Sequence, residues 1–431
     1  MLLFLASMAA CSPGHVGGNE IAFLRDGQLW TIDPDGANAF EIAGDNPALI
    51  GYGWSPTHQL LTFRTLDRDF AKTPTGKRIA SGLVTPGDVP STLNTISIDG
   101  GSSIPIIFSS PDVEYSNAWW NTTGNRLIYR EGATASNHSP STALWWISQN
   151  DQPGGIARKL LPTTFSIPSI TPDNSLTIGN SVRGLFTTSL NGSNVKYIVQ
   201  GVLPGHPLSA TLERVLWQPA HQQPAILYAI ASSPAQDGSS DTTPITVQLV
   251  LRDMHGHVTI VTTCSCTQFA WSPDGAHVVY STGSTYSIFN LKDRSTFSIS
   301  AEMGSIPYWS PDSQFLLLDS SHSLTLIHIG SKRQQLLLSS DNGEVAGQNN
   351  TNNVNALLEP MSNSPWAADS RHFLFLTGEH SVWQGKSLSK GLYTVAIDDS
   401  GQIQGRPAVV DTGNDREAGW TYENPNTSFL F

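Results

Sequence analysis

The 431-residue chain is short of several things that other classes of protein need. Charged side chains make up only 13% of it, and the 23 basic residues form no dense run against 35 acidic ones, for a formal charge of -12. Nucleic acid and anionic membrane surfaces are held by clustered cations, so neither is an expected partner. Long periodic stretches of Ala, Glu, Lys and Leu are missing, which argues against a helical protein. The apolar run at the N-terminus is too short for the roughly 20 residues that cross a bilayer. There are three cysteines, and they form no zinc-type cluster. G-x-S-x-G, H-E-x-x-H and a Walker loop are absent from the sequence, so a serine-hydrolase elbow, a zincin helix and a P-loop are unsupported. No cofactor or metal is implied. What is abundant is Gly (37) and Pro (27), with Ser, Thr and Asn. That composition favours many short strands joined by tight turns.

The N-terminus, "MLLFLASMAAC", carries an apolar run, then small residues, then Cys11. It reads as the end of a secretion signal. "SMAAC" resembles a bacterial lipoprotein signal, which implies cleavage before Cys11 and a lipid on that residue; an unlipidated secretion signal or a buried first strand are the alternatives. "SPGHVGGN" then reads as a tether. The expected organisation is a signal segment over 1–11, a tether over 12–18 and one domain over 19–431. Cys264 and Cys266 stand two apart in "TTCSCTQ". In an extended strand their Cα atoms would be about 6.6–7 Å apart, the upper limit for a bridge, so two half-buried thiols are the favoured reading and a bridge, which would need a kink there, is the alternative.

The dominant feature is a repeat. "WSPTHQLLTF" at Trp54 is echoed by "WNTTGNRLIY" at Trp120, "ITPDNSLTI" at Ile170, "WQPAHQQPAILY" at Trp217 and "WSPDGAHVVY" at Trp271. Trp309, Trp366 and Trp420 head three further copies. A second phrase follows within several units: "LWTIDPDG" at Leu29, "LNTISIDG" at Leu93, "LFTTSLNG" at Leu185 and "LYTVAIDD" at Leu392. In Trp271–Gly275 the Pro presets φ, Asp274 bonds its own backbone and Gly275 closes a β-turn; Trp309 to Asp312 spells the same turn. The aromatic offers a large body to pack between sheets. "HVVYS" and "FLLLD" read as strands buried on both faces, and the second phrase reads as a strand entering a hairpin.

These two phrases in fixed order resemble the TolB-type, WD-like β-propeller repeat. The resemblance implies an all-β propeller of four-stranded blades, with eight blades favoured and seven the alternative. The chain opens mid-unit with "NEIAFLRDGQLW" and ends on a tryptophan phrase, so the two termini are expected to share one blade. "EIAFL" and "SFLF" compete for one strand of it.

Spacing beyond the minimum marks insertions. The clearest lies between Leu66 and Ser91 and gathers Arg68, Lys72, Lys77 and Arg78 in an otherwise acidic chain; others begin at Ser232 and Asp341. Long loops on a rigid scaffold often carry binding, though they are also tolerated at little cost. Asp33 with Asp35, Asp67 with Asp69, and Asp398 with Asp399 are carboxylate pairs whose meeting spacing alone does not establish. His255 and His257 in "HGH" fall short of a metal site and suit a hairpin tip.

The expected protein is an extracytoplasmic, lipid-anchored, monomeric propeller that binds a protein, peptide or glycan of the cell envelope without catalysis. The alternatives are a glycan- or peptide-directed propeller enzyme with acidic residues in the central channel, and a spacer without a ligand.

Overall fold

The computed structural model describes residues 20–42, 49–55, 60–81, 83–84, 89–97, 100–107, 113–120, 126–133, 144–149, 158–161, 169–170, 176–181, 184–189, 193–200, 215–219, 225–232, 246–264, 268–340, 364–378 and 381–420. Almost all of its regular structure is β, arranged as a β-propeller.

The described strands form eight antiparallel sheets, six of them four-stranded. The repeated phrase closes the first strand of each unit. Leu49–Trp54, Val113–Trp120, Ser169–Ile170, Val215–Trp217, Phe269–Trp271, Ile306–Trp309 and Asp415–Trp420 all end on it. In the Trp366 sheet that strand shrinks to one bridge, Trp366 to Phe373. The other strands follow in chain order, as in Phe269–Trp271, His277–Thr282, Thr285–Asn290 and Thr296–Ser300. The first three of these bury most of their residues, and the fourth is largely exposed at the rim.

Each inner strand serves two cores at once. In Ile21–Arg25, Ile21 and Phe23 join the cluster around Trp366 and Trp420, while Ala22 and Leu24 join the cluster around Tyr52 and Trp54. The period-2 geometry of a strand sends alternate side chains to opposite neighbours, so an uninterrupted apolar run is what this position requires. The motif tryptophans Trp54, Trp120, Trp217, Trp271, Trp309, Trp366 and Trp420 are all buried. Trp366 lies against Phe315 of the preceding sheet and donates its indole N–H to the Tyr308 carbonyl there at 3.0 Å.

The turns after these tryptophans are built alike. Ser272 Oγ donates to Asp274 Oδ1 at 2.5 Å and accepts from the His277 N–H; Ser310, Asp312 and Phe315 repeat the pattern. Successive turns are also tied to one another. The Asp274 N–H donates to Ser313 Oγ and the Asp312 N–H to Ser370 Oγ, both at 3.0 Å, and Gln218 Nε2 donates to the Gly275 carbonyl at 2.8 Å. Gly275, Ser313 and Ser370 occupy the same turn position with φ of 67°, 62° and 59°. Glycine takes this left-handed conformation freely, whereas the two serines hold it while their hydroxyls reach back to the preceding unit.

The seam follows from the split unit. Asp415–Trp420 supplies the first strand, and Ile21–Arg25, Gln28–Ile32 and Phe40–Glu41 supply the other three. "EIAFL" therefore contributes to the second strand, and "SFLF" lies outside the described residues. Arg25 locks the join: its Nε donates to Asp415 Oδ1 at 2.9 Å, Nη2 pairs with Asp411, and the guanidinium lies over Phe23 and Trp30. Gly413 passes so close that a Cβ there would meet Arg25 Nε at 2.7 Å.

Two expectations need correction. The four-strand rule fails in adjacent sheets, because the hairpin Ser381–Trp383 and Lys386–Leu388, inserted in the Trp366 sheet, adds to the outer strand Arg333–Ser340 of the Trp309 sheet. One sheet thus has six strands and the next three. Parallel stacking of Trp383 on Phe375 at 5.0 Å, and of Phe375 on Tyr393, holds the hairpin to its own unit. Cys264 is disulfide-bonded and not a thiol. It is the last residue of the strand Val258–Cys264, and Cys266 lies outside the described residues.

Removing one partner of a buried ion pair strands the other charge, and the Asp415 side chain is fully buried. Arg25→Ala should therefore lower the unfolding free energy by about 3 kcal/mol, whereas the exposed Arg406→Ala stays within about 0.5 kcal/mol; chemical denaturation measures both. Burial raises the Asp415 carboxyl more than Arg25 lowers it. A raised carboxyl adds stability while protonated and loses it as pH climbs through the folded pKa. Relative to Asp415→Asn, the parent should then lose stability as pH rises above the usual carboxylate range.

Candidate functional site

Strand order assigns every connection to one of two ends. In a sheet of sequential antiparallel strands, links from first to second and from third to fourth emerge at one end. Links from second to third, and onward to the next sheet, emerge at the other. Every long connection falls at this second end: 67–90, 134–143, 201–214, 233–245, 341–365 and 378–390. Between described strands, none at the first end exceeds the eight residues between Trp217 and Ile226 or between Gln149 and Arg158. All three insertions marked in the sequence thus leave and re-enter the described sheets at one face.

The insertion after Leu66 is a built substructure. Asp67 Oδ1 accepts from the Asp69 and Phe70 N–H groups and starts a 3-10 turn, Phe70–Lys72. Thr73 caps the helix Pro74–Ala80, its hydroxyl accepting from the Gly76 N–H at 3.0 Å, with Pro at the first position. Ile79 packs with Ile50 and Leu66, and Phe70, Ala71, Val84 and Val89 close around them. From below, Arg64 Nε donates to Ser91 Oγ, and Arg416 of the seam strand donates to the Ala80 carbonyl at 2.8 Å.

The cations gathered here do not act as one group. Lys72 pairs with Asp69 at 2.7 Å. Arg68, Lys77 and Arg78 are exposed and make no ion pair among the described residues. Lys77 and Arg78 lie in the last helical turn, where the helix dipole favours positive charge. Cys11 lies outside the described residues.

The carboxylate pairs are engaged in turns and bridges. Asp33 holds Asn38 and Asp35 holds the Ala37 N–H. Asp398 Oδ1 accepts from Ser400 and Gln402, and this bonding holds its carboxyl below the usual range. Asp399 binds Arg371, which also binds Asp312 at 2.6 Å. His255 and His257 occupy the hairpin tip between Thr246–Arg252 and Val258–Cys264, at the end with short turns.

One polar cluster on the insertion-bearing face escaped sequence reading. Glu302, in the link entering Ile306–Trp309, accepts from Ser320, from Ser323 and from His322 Nδ1, the last at 2.5 Å. The Ser305 N–H and hydroxyl both donate to the Glu302 carbonyl, with Gly304 at φ 86° in the turn. Residues 302 and 322 share no motif. The available signal was topological, since a link into a sheet and its second-to-third turn meet at the same end.

No protein-family model matches the sequence, and no curated protein matches it. Among solved structures, an oligogalacturonate lyase in complex with manganese is 13% identical, covering 68% of this chain and 79% of its own, with a TM-score of 0.46. A eukaryotic initiation factor is 11% identical over 94% and 98%, with a TM-score of 0.48. TolB from Acinetobacter baumannii is 16% identical over 58% and 60%, with a TM-score of 0.36.

At Gly76 an added Cβ would lie 2.2 Å from the Phe70 carbonyl oxygen. Gly76→Ala should force the helix away from the 3-10 turn and raise amide hydrogen exchange across 67–81, with the Trp271 and Trp309 sheets unchanged.

Proposed function

We propose that this propeller is a non-catalytic binding scaffold of the cell envelope, contacting a protein, peptide or glycan through its insertion-bearing face. The observation that carries the reading is the one-sided distribution of its long connections. A rigid set of sheets with elaborated loops at one end and minimal turns at the other presents a single adaptable surface. Within that surface, the ordered insertion offering Arg68, Lys77 and Arg78 is the contact region, suited to acidic groups on the partner.

An extracytoplasmic location is supported by the disulfide at Cys264, since such bonds persist in oxidising compartments. Attachment through a lipid on Cys11 completes the reading, with the propeller monomeric.

Site-specific photo-crosslinking in the native cells tests this. A crosslinker at Lys77 should capture a discrete partner, while one at Asp293, in a short turn at the opposite end, should not. Replacing residues 66–91 with a short Gly/Ser turn should abolish capture at a second crosslinker position on the same face. Equal capture from both ends, or capture that survives the replacement, would overturn the proposal.

A further inference from the structure

The hairpin tip at residues 253–257 holds Asp253, Met254, His255, Gly256 and His257, on the end opposite the proposed partner surface. Its shape is set by backbone bonds: the Asp253 N–H donates to the His257 carbonyl at 3.0 Å and the Gly256 N–H to the Asp253 carbonyl at 3.1 Å. Gly256 supplies the required φ of 92°, and Arg252 packs beneath it. Asp253 then fixes one imidazole. Its Oδ1 accepts the His257 N–H, and its Oδ2 contacts His257 Nδ1, both at 2.8 Å. A carboxylate on one ring nitrogen selects the tautomer with its lone pair on Nε2, the arrangement that usually supports a metal-ligating histidine.

The second ring stands at a usable distance. The His255 and His257 centroids are 6.3 Å apart. With metal–nitrogen bonds of about 2.0–2.1 Å, the length zinc shows, a separation of 6.3 Å matches two imidazoles on one ion only in a nearly linear N–M–N unit. Met254, between Asp253 and His255, is 47% exposed and brings a thioether to the same tip. Among the described residues no three His, Cys, Asp or Glu side chains converge as a borderline or hard divalent ion requires. Two imidazoles and a thioether instead match a soft monovalent ion of low coordination number. Asp253 supplies a neighbouring negative charge.

We propose that His255, His257 and Met254 form a surface site for a soft d10 monovalent cation, Cu(I), with Asp253 as a positioning residue.

Silver(I) is a suitable probe, because it shares the preference and needs no reductant that would disturb the Cys264 disulfide. Untagged full-length protein carrying Cys11→Ser, which takes that sulfur out of the titration, is titrated calorimetrically in chloride-free buffer. One equivalent should bind and perturb the His255 and His257 Nε2 resonances in long-range 1H–15N spectra. His255→Gln and His257→Gln should each weaken binding about tenfold or more, and Met254→Leu should weaken it measurably. Asp253→Asn should lower affinity while leaving the stoichiometry at one. Unaltered affinity in either histidine variant or in Met254→Leu, or one equivalent bound without change at both rings, would overturn the site. So would absence of binding to the parent. Circular dichroism confirms that each variant is folded.

Discussion

The structure depends on the fact that its inner strands are apolar on both faces. A strand such as Phe315–Asp319, buried at every position, cannot be covered by its own sheet and needs a neighbour on each side. Each sheet therefore completes the cores of two others, and the ends of the series have to meet. The join of Asp415–Trp420 to Ile21–Arg25 follows from that requirement. So does the cost of opening it, because opening would expose Ile21 and Phe23 on one side and Ala22 and Leu24 on the other.

Packing alone leaves sheets free to slide past one another, and the polar details resist this. Hydrogen bonds pass from turn to turn at one end, through Gln218, Ser313 and Ser370. Near the other end, Arg25 ties the last units to the first, and the Ser381–Trp383 hairpin spans two sheets. The serines at 313 and 370 illustrate the exchange involved: a backbone conformation that glycine adopts more easily is kept by a side chain whose hydroxyl crosses to the preceding unit.

With one end tied by short turns, elaboration is confined to the other. The proposed partner surface and the proposed cation site on the hairpin tip at residues 253–257 lie at opposite ends, so either can be altered without touching the other. The insertion after Leu66 is anchored to the scaffold by its own small core and by Arg416, which belongs to the seam strand. Its exposed cations are thereby held on the part of the propeller where the first and last described strands pair.

The repeat was legible because its physics is local. A tryptophan, a turn of Ser, Pro, Asp and Gly, and an apolar run each act within ten residues, so Trp271 and Trp309 announce strand, turn and strand without reference to the rest of the chain. The split unit and the three marked insertions were legible for the same reason, as departures from a regular spacing. What depended on distance in space was not legible. The exchange of a hairpin between sheets, the Glu302 and His322 contact, the Arg25 join and the 6.3 Å separation of His255 and His257 arise only when strand order and turn geometry bring residues together. Sequence by itself determined the repeating unit and where it was interrupted, because backbone propensity and apolar patterning are properties of short segments. Tertiary structure alone decided which interruptions share a face and which side chains meet, because those are set by the direction of each strand within the assembled ring.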